Sequence, residues 1–95
     1  MPRKRSTLQK ATGKLTYSIQ KEWSEELGTP SATESEEVMY RSQALTQATV
    51  TGSIENLLGT RTVTNFLGTE WVKRHPNVLA AIAVVEAEIA RGRHA

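Results

Sequence analysis

Apolar residues recur along this chain at spacings of three and four, the pattern of helices that bury one side. The clearest run lies between Pro76 and Gly92. On a helical wheel Val78, Ile82, Val85 and Ile89 fall within about 60° of one another, with Ala81 beside them and Glu86 and Glu88 on the flanks. Asn77 stands where an N-cap is expected, Arg91 suits the negative end of the helix dipole, and Gly92 suits the exit, so a helix is predicted over 77–91. A second ladder, Leu8, Ala11, Leu15, Ile19, Trp23 and Leu27, runs up to Gly28 and predicts a helix over 7–27. Four residues overshoot a helical turn by about 40°, so this ladder winds around its helix and its partners must cross at an angle.

The middle of the chain is less regular. Thr33 and Glu36 form a capping-box pattern ahead of Val38, which predicts a helix over 34–50. Its apolar phase changes: Val38 and Leu45 share one side, while Met39, Tyr40 and Val50 share another with Ile54, Leu57 and Leu58, implying two packing partners. The β-branched residues Thr46, Thr49, Val50 and Thr51 leave helix, break and short strand open over 46–52. Leu-Gly-Thr occurs at 27–29, 58–60 and 67–69, too closely spaced for a solenoid unit. It reads as punctuation, a last apolar contact and a C′ glycine followed by a threonine that caps the next helix. This predicts helices over 53–58 and 61–75, the second either broken at Gly68 or continuous through it, with Val63, Phe66, Leu67 and Trp71 facing inward. Pro76 then bends the chain into the closing helix. The fold class is therefore all-α: a small bundle of four to five helices in one domain, 7–95, preceded by a disordered basic arm, 1–6.

Composition adds two constraints. An apolar content of 38% with only five aromatics makes a thin core for a domain of 95 residues, and a thin core favours pairing with another chain. A homo-oligomer is expected: Val78, Ile82, Val85 and Ile89 can fill the domain's own core or form a seam against the same helix of a second copy, and the reading is a mixture in which the helix packs on its own domain and also contributes to the interface. The absence of cysteine excludes disulfides, thiolate metal sites and thiol nucleophiles. There is also no aspartate, and neither His75 nor His94 has a second ligand at metal-binding spacing, so no metal, cofactor, catalytic residue or small-molecule substrate is expected. No apolar h-region follows the basic start, and the longest apolar run, 78–85, is far short of the roughly 20 residues of a membrane span. The reading is a soluble intracellular protein without membrane contact, cytoplasmic or associated with a nucleoid or nucleus.

The net charge of +2 hides a sharp segregation. From Arg3 to Lys21 there are six basic residues and no acid, and from Glu22 to Glu37 there are six acids and no base. If the first helix reaches back far enough, Arg3, Thr7, Lys10, Lys14 and Lys21 share one face, with Tyr17 and Ser18 at its margins and Lys4 and Arg5 in the arm. Such a stripe can neutralise successive phosphates. The expected function is a non-enzymatic nucleic-acid-binding or regulatory protein using Arg3, Lys4, Arg5, Lys10, Lys14 and Lys21. The alternative is a protein–protein adaptor or inhibitor acting through the charge-segregated first helix or the apolar closing helix. The short segments around Gly59 and Gly68 also leave room for a helix-turn-helix, with 60–67 or 69–75 entering the major groove.

Overall fold

The computed structural model describes residues 7–93, and side chains through residue 91. Within them the regular structure is helical: α1 (Thr7–Glu25), α2 (Ser31–Thr51), α3 (Ile54–Leu58), α4 (Val63–Leu67), α5 (Thr69–Arg74), a 3-10 turn (Pro76–Val78) and α6 (Leu79–Arg93). The expected arm, residues 1–6, lies outside the described residues.

Side-chain pairs fix how the helices run. Thr16 Oγ1 meets Ser42 Oγ at 2.7 Å, and Ser35 reaches Glu26, so α1 and α2 are antiparallel. Asn77 Nδ2 donates to Glu22 Oε1 at 3.2 Å, and Leu8 lines a depression with Ile89 at the other end, so α6 is antiparallel to α1. Between α2 and α6 the short helices climb back along α2: Arg41 Nη1 donates to the Leu67 carbonyl, and Trp71 and Arg74 reach Ser35 and Glu34. The result is an up-down-up-down bundle whose third rod is broken into three pieces.

The breaks follow local chemistry. Gly52 adopts a left-handed conformation, φ 72°, and returns its N–H to the Ala48 carbonyl, closing α2. Gly68, φ 125°, separates α4 from α5, which resolves the 61–75 segment as broken. The Thr-rich stretch is helical through Thr51, neither break nor strand. Thr49 and Thr51 donate their hydroxyls to carbonyls one turn back, and the burial of Leu45 and Ala48 outweighs a propensity cost of about 0.7 kcal/mol per residue at most. Helix α2 starts at Ser31 behind Pro30, whose ring presets a helical φ, and not at 34, so Thr33 and Glu36 do not form the expected box. Thr62, not Thr60, caps α4 by accepting from the Asn65 N–H. Nor does Asn77 cap the closing helix, which enters through the 3-10 turn and passes Gly92 to end at Arg93.

The core draws on every rod: Leu15 and Ile19 from α1, Val38 and Leu45 from α2, Val63, Leu67 and Trp71 from the broken rod, and Val85 from α6. Val78, Ile82, Val85 and Ile89 belong to this cluster, none more than 8% exposed. Within the chain α1 and the short helices cover that stripe, as the core reading of it requires. Leu27, Tyr40 and Val50, expected inward, are exposed, Leu27 because α1 ends before it.

A polar line runs inside the α1–α2 contact. Buried Thr12 donates to the Gln9 carbonyl at 2.9 Å, and buried Ser42 is paired with Thr16. Thr46 Oγ1 is buried with no hydrogen-bond partner among the described residues. An unsatisfied buried hydroxyl costs about 1–3 kcal/mol. Thr46→Val is therefore expected to stabilise the protein by about 1 kcal/mol and to raise its melting temperature by about 4–8 °C, read by calorimetry.

Candidate nucleic-acid interface

Helix α1 turns one face to the core through Ala11, Leu15 and Ile19, which leaves the opposite face to water. Lys10, Lys14 and Lys21 stand there, exposed, over a rise of about 16 Å. Tyr17, 67% exposed, lies between Lys14 and Lys21 along the axis and at the margin of the stripe around it, within about 60° of all three lysines. Arg3, Lys4 and Arg5 lie outside the described residues.

What separates these three lysines from the other bases is the absence of an internal partner. Arg41 holds the Leu67 carbonyl and stands 4.0 Å from Glu37. Arg61 donates to the carbonyls of Leu57 and Leu58, satisfying the end of α3, and lies 5.1 Å from the centre of the Phe66 ring. Lys73 pairs with Glu70, Arg74 with Glu34, and Arg91 with Glu88. Among the residues whose side chains are described, only Lys10, Lys14 and Lys21 are basic with neither an ion pair nor a hydrogen bond.

The acids gather at the other end, where α1 hands over to α2. Glu34 lies in the first turn of α2, at the positive end of its dipole, and pairs with Arg74. Glu36 accepts from the Tyr40 hydroxyl at 3.0 Å. That bond and the carboxylate charge hold the Tyr40 phenol above its usual pKa. The run read from sequence as acidic is thus largely engaged with neighbouring side chains.

At the same end sits a cluster that sequence reading did not anticipate. The indole of buried Trp71 donates to Ser35 Oγ at 2.9 Å, and Ser35 donates to Glu26 Oε1 at 2.5 Å. His75 stacks on Trp71 with ring centroids 4.0 Å apart and contacts both Glu26 oxygens through Nε2 at 3.3 Å. Its Nδ1 lies 2.7 Å from the Trp71 carbonyl, which can only accept, so Nδ1 carries a proton. The Ser35 hydroxyl is fully buried and committed on both sides, to the Glu26 carboxylate and to the indole N–H. The cluster is a clamp joining α1, α2 and α5. Only the one-turn spacing of Trp71 and His75 was visible in the sequence; Glu26 and Ser35 lie 49 and 36 residues from their partners. Ser35→Ala would strand the indole N–H and remove one donor from Glu26. It is expected to lower unfolding stability by about 1–3 kcal/mol, measured by urea denaturation.

The remaining surfaces are plainer. Helices α4 and α5 have five and six residues, and Trp71 and Val72 of α5 are buried, so neither presents a free recognition helix for the major groove. The outer side of α6 carries Leu79, Ala80, Ala83, Val84, Ala87 and Ala90, all exposed, opposite the buried stripe. Among the described residues no group of three His or Glu side chains is placed to hold a metal ion, and no helix is long and apolar enough to cross a membrane.

Comparison with protein-family models, curated proteins and solved structures finds no match to this chain.

Proposed function

We propose that this is a small non-enzymatic nucleic-acid-binding or regulatory protein that meets phosphates with the outer face of α1. The observation that carries the reading is the segregation of partnered and unpartnered bases. Five basic side chains of the described fold are engaged internally, and the three that are not lie on one face of one helix. Lysines without an internal partner are free to meet phosphates without breaking an ion pair, and the counterions displaced from a phosphate backbone supply the driving force. Arg3, Lys4 and Arg5 would extend the same charge along the chain.

A salt titration tests this. Replacing Lys10, Lys14 and Lys21 together by glutamine is expected to flatten the plot of log affinity against log salt. The expected change in slope is about 2.1 on a single strand or about 2.7 on duplex DNA. An unchanged slope, or no binding by the parent protein to either nucleic acid at low salt, rejects the reading.

A second reading, contact with a protein partner, is favoured by the outer side of α6. Leu79 and Val84 there are 49% and 51% exposed, and the intervening alanines would let another helix approach closely. In a homo-oligomer this side, not the buried stripe, would meet the second copy. Val84→Asp is then expected to convert a dimer into a folded monomer, read by light scattering together with circular dichroism. A parent protein that is already monomeric at high concentration removes self-association through this side.

A further inference from the structure

Tyr17 is the aromatic side chain of the fold that nothing inside the molecule explains. Trp71 is buried, Trp23 packs on the core, Phe66 packs on the core beneath Arg61, and the Tyr40 hydroxyl is held by Glu36. Tyr17 has neither hydrogen bond nor ring contact among the described residues, is largely exposed, and lies along α1 between the positions of two lysines. Lys14 lies three residues before it and Lys21 four residues after, rises of about 4.5 and 6 Å on one face of a helix.

We infer that the ligand of this face is a single strand of nucleic acid, with one base stacked on the Tyr17 ring and the flanking phosphates held by Lys14 and Lys21; this rests on the phosphate-contact reading above. Alternation of an aromatic platform with lysines is how single strands are held without sequence reading, because every base offers a π-face. A duplex does not offer that face. Its bases are stacked on one another, and reaching between them takes an apolar wedge and a bend that wraps further protein surface. Lys10, about 10.5 Å before Tyr17 along the axis, extends the track by one more phosphate.

The experiment is fluorescence anisotropy on the full chain with three labelled probes of equal phosphate number: an oligothymidine strand, an abasic strand and a hairpin duplex. Anionic phosphatidylserine vesicles serve as a fourth probe. Oligothymidine is expected to bind about 5- to 150-fold more tightly than the abasic strand, the range that stacking one base provides. Tyr17→Ala should erase that difference while leaving the abasic affinity and the melting curve unchanged, and Tyr17→Trp should preserve it. Equal affinity of parent and Tyr17→Ala for oligothymidine overturns the inference, as does a preference for the duplex, and both leave the phosphate reading standing. No binding to any of the three nucleic acids, or binding to vesicles alone, overturns both.

Discussion

A buried indole must place its N–H on an acceptor, and in this bundle that requirement starts a chain of further ones. Trp71 supplies the largest fully buried side chain of the core, and its N–H would cost about 1–3 kcal/mol if left unpaired. Ser35 answers it from the first turns of α2, which fixes the height at which α5 lies along α2. The serine proton then needs its own acceptor, and Glu26 provides it from just beyond α1, pinning the turn between the long helices. His75 closes the loop from the far end of α5, touching Glu26 on one side and Trp71 on the other. One aromatic residue thereby sets the register of three helices at one end of the molecule.

The broken third rod has a similar effect on charge. Short helices multiply helix ends, and each end leaves amide or carbonyl groups without intrahelical partners. Glu86 of α6 accepts from the Val63 N–H at the start of α4, Arg41 of α2 takes the carbonyl at its end, and Arg61 folds back on α3. Polar side chains that would otherwise face water are drawn into holding this rod. The unopposed charge of the described fold is left on α1, a long uninterrupted helix that has no internal ends to satisfy.

Much of this arrangement was legible from periodicity. The ladders at Leu15 and Ile19 and at Val85 and Ile89 marked both outer helices, and the repeated Leu-Gly marked breaks that the structure places at Gly59 and Gly68. What periodicity does not encode is which partner a stripe meets. The same four-three-four spacing of Val78, Ile82, Val85 and Ile89 serves a coiled-coil seam and an internal core equally well, and only the return of α1 and the short helices decides between them. Capping was misread for a related reason: Thr33 and Asn77 had suitable side chains, but a preset proline and a 3-10 turn opened those helices instead. The clamp around Trp71 joins residues so far apart in sequence that no local pattern announces it. Lys10, Lys14 and Lys21 were visible on one face from the start. Their lack of internal partners, and the position of Tyr17 among them, required the other bases to be placed first.

Helices of five or six residues have no stability of their own, since a helix that short does not recover the cost of its nucleation. The amides of α3, α4 and α5 are therefore protected from hydrogen exchange only while α2 and α6 hold them in place, and none can be slower to exchange than the opening of those two walls allows. The third rod is a reporter built into the fold: its exchange rates read the integrity of the helices around it, not its own.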